Sequence, residues 1–196
     1  ALRRIAASHS PAAAGDSTFA YVAVAGTEDF NYEEVRALAD KLDAARVPDR
    51  LAIFQGPHAW PPASVCTDAL EWLTLRAMRA GLAPRDSAWI AGRLDAELSS
   101  ASRLESRGQL DQASRLYSAI ARDYAPSARA ADASRRAAAI ESRDAVRQLR
   151  ARMRALAERS AQREVDIQAA LLWFRSRKDT PSADELAERL QLPALR

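Results

Sequence analysis

The chain has 196 residues, with 29 basic against 26 acidic side chains, a formal charge of +3, and only 6% aromatic residues. No run is long and apolar enough to span a bilayer, and one cysteine, Cys66, excludes an intramolecular disulfide framework and a cysteine-built zinc site. Two histidines, His9 and His58, leave no material for a multi-histidine metal centre, and the six glycines form neither a Walker loop nor a dinucleotide fingerprint. No metal or cofactor is therefore expected, and so small a net charge names no partner.

Residues 1–14 carry Arg3 and Arg4 without a continuous apolar core, so they do not read as an intact signal peptide. The first residue is Ala1, and the chain reads as a processed product or a piece of a longer protein, cytoplasmic or exported. Residues 19–25 are a short apolar run ending at Gly26, the pattern of a strand buried on both faces. Asn31 reads as a helix N-cap with Glu34 as its capping-box partner. The helix extends over about 32–45, with Val35, Leu38, Ala39 and Leu42 on its apolar stripe. Residues 51–54 form a second strand, closed by Gly56 and Pro57. After Pro61 and Pro62 a second helix runs to Ala80, with Val65, Ala69, Trp72 and Leu73 sharing a face and Gly81 just past its end.

Strand, crossover helix and strand predict a right-handed parallel unit. Two parallel strands cannot stand alone, because parallel sheets need both faces covered and further strands alongside. No other good strand occurs, so the rest of the sheet is expected outside this chain or from a partner. The expected organisation is an α/β part over 1–81, carrying 8 basic and 10 acidic residues, and an all-α region over 82–196. The linker between them is residues 82–87, with Pro84.

In open α/β sheets, chemistry sits beyond the carboxyl ends of the strands. Gly26-Thr27-Glu28-Asp29 follows the first strand and Gly56-Pro57-His58-Ala59-Trp60 the second. Parallel neighbours would bring Asp29 and His58 to one edge, as the acid and base of a nucleophilic triad. This part resembles the C-terminal end of an α/β-hydrolase of the dienelactone-hydrolase, polyhydroxybutyrate-depolymerase and carboxylesterase kind. In that fold a Gly-x-x-Asp loop carries the acid and a Gly-x-His loop the base, in the order nucleophile, acid, histidine. The resemblance covers about residues 17–80. It implies Asp29 and His58 as catalytic residues, with Glu28 the substitute acid, Trp60 in a substrate pocket, and a small ester or acyl substrate. The Gly-x-Ser-x-Gly elbow and the oxyanion loop are absent. Ser8, Ser10 and Ser17 precede Asp29 without flanking glycines, so the chain alone is expected to be inactive. Cys66 reads as a packing residue, and His9 is assigned no role.

In the helical region, Ala101, Leu104, Gly108, Leu110, Ala113, Tyr117, Ile120 and Pro126 resemble the spacing of one tetratricopeptide repeat. A single repeat must dock on something to bury its faces. Residues 127–180 contain neither Gly nor Pro and favour long helices. Val146, Leu149, Met153 and Leu156, then Ile167, Leu171 and Phe174, make an apolar side interrupted over 160–164, which reads as a helical hairpin. Thr180 and Pro181 open a last helix to Leu190, with Pro at its first turn. The arginines crowding 135–163 read as a solvated face, because no aromatic platform accompanies them and nucleic acid is not the expected partner. The alternative to an esterase fragment is a non-catalytic module whose helices bind a protein.

Overall fold

The structure is a computed structural model that describes residues 19–176 and 182–189. His9, Ser8, Ser10, Ser17, Thr180 and Pro181 lie outside the described residues, 71% of which are helical. The order is β1 (Tyr21–Gly26), α1 (Tyr32–Ala44), β2 (Asp49–Phe54), α2 (Ala63–Arg79), α3 (Ser87–Ser106), α4 (Leu110–Asp123), α5 (Ala128–Glu141), α6 (Asp144–Ser176) and α7 (Ala183–Arg189). The chain divides into one compact unit ending at Gln148 and another beginning at Leu149. The interval 82–87, expected as a linker, is the turn between α2 and α3 inside the first unit.

The two strands pair in parallel, Tyr21 opposite Asp49 through Gly26 opposite Phe54. Among the described residues the sheet has only these strands, so the full sheet of an α/β-hydrolase is not shown. Small side chains let α1 approach this sheet: Ala23, Ala25 and Ala39 are buried. On α2, Trp72 and Leu75 are the fully buried pair, whereas Leu73, expected on that face, is 37% exposed. Trp72 and Leu75 are three residues apart and so share a helical face that Leu73 leaves.

Leu75 joins one buried cluster with Leu94, Ala101, Ala113, Tyr117 and Ile120, so α2 belongs to the same core as α3 and α4. The small residues at 101 and 113 sit where α3 and α4 pack together, after the turn at Gly108. Asp86 caps α3 by accepting from Trp89 N (2.9 Å), and Ser127 caps α5 by accepting from Ala130 N (3.1 Å).

Charged pairs fasten the βαβα segment to these helices. Arg36 of α1 donates to Asp111 of α4 (2.8 Å), and Arg115 of α4 returns to Asp40 of α1 (2.6 Å). Arg50 of β2 reaches Glu97 (3.0 Å) and Asp123 (2.9 Å), and Arg93 of α3 reaches Asp68 (2.9 Å) and Glu71 on α2. The side chains of Arg36, Arg50, Arg93, Asp111, Glu97 and Asp123 are at most 11% exposed, whereas Asp40 and Asp68 face solvent, so these three buried guanidiniums must keep their partners for the packing to be tolerated.

Asp49 is a weak point in this network. It is 6% exposed, its Oδ1 accepts no hydrogen bond, and Arg122 stands 3.5 Å away. Burial pushes its carboxyl up to about 6, opposed by Arg122 and reinforced by Asp43 and Asp123. The folded protein thus holds this proton more tightly than the unfolded chain. The associated stability is complete below pH 4 and is lost as pH rises through about 6. Asp49→Asn should therefore be more stable than the parent at pH 7 by about 3 kcal/mol. The difference should vanish near pH 4, as thermal midpoints measured across that range would show.

From Leu149 the second unit is a continuation of α6, with α7. The expected hairpin near 160–164 does not form: α6 runs unbroken to Ser176. Its polar interruption contains Ser160, Gln162, Arg163 and Glu164 but no Gly or Pro, and nothing there stops a helix. Helix α7 is described over Ala183–Arg189, and its expected opening at Thr180 and Pro181 lies outside the described residues. Ser182 is its cap, with Glu185 N donating to Ser182 Oγ (3.1 Å) and Ser182 N to Glu185 Oε2 (2.8 Å), a reciprocal capping box.

Candidate active site

The parallel ladder continues past both strands and stitches the two following loops together. Thr27 N donates to Phe54 O and Glu28 N to Gly56 O, both at 2.9 Å, while Gly56 N donates to Thr27 Oγ1 (3.3 Å). Asp29 N turns back onto Gly26 O (3.2 Å). The loops touch at Gly26. A Cβ there would lie 2.3 Å from Gly56 O and 2.6 Å from Pro57 O, both backbone atoms that cannot swing aside. Gly26→Ala should push the loops apart and cost about 3 kcal/mol, measurable by urea denaturation. A variant as stable as the parent would mean that the loops separate freely.

Asp29 and His58 therefore leave the same sheet edge and meet. His58 Nδ1 stands 2.9 Å from Asp29 Oδ2 and 3.0 Å from Oδ1. The carboxylate is 8% exposed and the imidazole 63%. A buried carboxylate on Nδ1 selects the tautomer protonated there and leaves the lone pair on Nε2 of an accessible ring. Glu28, the substitute acid, is engaged elsewhere: its Oε1 accepts from Gln55 Nε2 at 3.2 Å.

Asn31 also serves the carboxylate. Its backbone N–H donates to Asp29 Oδ1 (3.2 Å). Its side-chain amide, turned so that its nitrogen meets the acceptors, lies 2.7 Å from the same oxygen. It occupies the N-cap position of α1 without a side-chain capping bond, so the expected capping box with Glu34 is not made. Asp29 gains from Asn31 the donors that hold a carboxylate in one orientation.

No motif of the sequence singles out Phe30, yet it stands against the histidine. Its ring lies 4.8 Å from the His58 ring at 39°, and it is 84% exposed. The available signal was a large apolar residue beside Asp29 in a turn. Trp60 is 95% exposed, beyond His58 in the loop after β2. Cys66 is half-buried within α2, consistent with packing. Among the described residues no cluster of three or more His, Cys, Asp or Glu side chains has metal-site geometry, and no helix is long and apolar enough to cross a membrane.

Comparison with protein-family models, with curated proteins and with solved structures returned no match.

Proposed function

We propose that this chain carries the acid and base of a serine-type α/β-hydrolase acting on carboxylic esters, with the nucleophile supplied by a segment outside it. The observation that carries this reading is the Asp29–His58 pair, in contact at the carboxyl ends of two parallel strands. In the assembled enzyme, a serine hydroxyl attacks the acyl carbon and His58 Nε2 takes its proton. His58 then returns that proton to the departing alkoxide, and the acyl-serine is released by water activated in the same way. Asp29 orients the ring and stabilises the imidazolium. Phe30 and Trp60, exposed near the pair, offer apolar surface to the acyl or alcohol group.

The test joins the chain to the polypeptide encoded upstream of it and assays hydrolysis of an activated ester. The expected result is activity with the upstream segment present, labelling of one serine there by a phosphonate, and none for the present chain alone. An upstream frame lacking a Gly-x-Ser-x-Gly between strand and helix, with no activity, would overturn the reading. The packed helices α3, α4 and α5 favour a second reading, a non-catalytic module that binds a protein, which that same result would leave standing.

A further inference from the structure

Within the second unit, α6 carries an apolar stripe that the hydrolase reading does not use. Leu149, Met153, Leu156, Ile167, Leu171 and Phe174 are joined by Ser160 and Arg163 in three- and four-residue steps. The stripe is about 38 Å long at 1.5 Å rise per residue. All of its apolar residues but Met153 are at least 42% exposed. The pattern is nearly the same in both directions from a midpoint between Ser160 and Arg163: two polar positions at the centre, three apolar ones on each side.

We propose that this stripe pairs with the same stripe of a second copy, the two helices running antiparallel. A surface that maps onto itself when reversed is what a two-fold interface requires. Reversal sets Leu149 against Phe174, Met153 against Leu171, Leu156 against Ile167 and Ser160 against Arg163. A uniformly apolar groove would instead bury Arg163 without a polar partner.

Charge selects the direction. Residues 144–159 hold five arginines against Asp144 and Glu158, whereas residues 160–176 hold Arg163 and Arg175 against Glu164 and Asp166. Parallel pairing would set the basic half against itself and Arg163 against Arg163. Antiparallel pairing sets the basic half against the balanced half and brings Arg159 beside Asp166 of the second copy.

The test is sedimentation velocity on the full chain across micromolar concentrations. A dimer is expected, and Leu156→Asp with Ile167→Asp should raise its dissociation constant at least about 100-fold with helicity unchanged by circular dichroism. Asp166→Arg should weaken it about tenfold, and adding Arg159→Asp should restore it. A dimer indifferent to these charge changes would overturn the antiparallel arrangement. A monomer at every concentration would overturn the proposal, and a fall in its thermal midpoint on Leu156→Asp would assign the stripe to a contact within the chain.

Discussion

Asp123→Ala should cost about 4 kcal/mol, the largest stability loss from any single charged residue of the first unit. Asp123 is 1% exposed and its Oδ2 accepts from both Trp72 Nε1 (2.8 Å) and Arg50 Nη2 (2.9 Å). Truncation leaves a buried indole N–H without an acceptor and a guanidinium, 11% exposed, with Glu97 alone. The cost comes from those orphaned donors more than from the lost attraction, because an ion pair in a buried site roughly repays its own desolvation. Asp123→Asn keeps an acceptor oxygen for Trp72 and should cost about half as much. Urea denaturation monitored by circular dichroism measures both. A loss under 1 kcal/mol for the alanine variant would mean that water reaches Arg50 and Trp72 and that α4 does not seal against β2 and α2.

That seal explains why the βαβα segment persists on two strands. A parallel pair exposes apolar faces and edges that normally require neighbours. Here α3 and α4 reach β2 and α1 through arginine–carboxylate pairs, Arg50 with Glu97 and Asp123 and Arg36 with Asp111, the last pair 75 positions apart. The apolar core sits instead among α2, α3, α4 and α5. The interface beside the sheet is thus the polar part of the unit, and the pH dependence of Asp49 reports on it directly.

The sequence was informative where local rules decide. Short apolar runs ended by Gly26 and Gly56 gave the strands, and the Pro61–Pro62 and Gly81 boundaries gave α2. Asp29 and His58 were legible because each stands just past a strand and the two strands are parallel. The docking network was not. Arg36 lies next to the apolar stripe of α1 and reads as a solvated side chain, and nothing local names Asp111, 75 residues away, as its partner. The continuity of α6 over Asp144–Ser176 departs from the expected hairpin for a different reason. A polar interruption resembles a turn, but helix propensity depends on backbone freedom rather than polarity, and that stretch lacks a breaker. Asn31 looked like a cap because its side chain suits that role, yet the neighbouring carboxylate is the stronger acceptor.

On the proposed hydrolase function, Asp29→Asn in the chain joined to its upstream segment should lower kcat by about 10⁴ while leaving the fold intact, the scale expected when an imidazole is held in the wrong tautomer. The asparagine amide fills the same space between Asn31 and His58, but it can present an N–H to Nδ1 where the carboxylate accepts one. The ring proton then moves to Nε2, and the lone pair that must take the serine proton is gone. The present chain already contains everything needed to see this change. Nitrogen-15 shifts of the His58 ring should report a proton on Nδ1 in the parent and on Nε2 in the variant. Phe30→Ala, which removes the ring lying 4.8 Å from the imidazole, should leave that assignment unchanged. A parent ring protonated on Nε2 would show that the carboxylate does not govern the histidine, and the acid–base pair would then have no part in hydrolysis. A parent ring protonated on Nδ1, combined with full activity in the assembled Asp29→Asn enzyme, would place the orienting group elsewhere and leave Asp29 as a brace for the turn into α1.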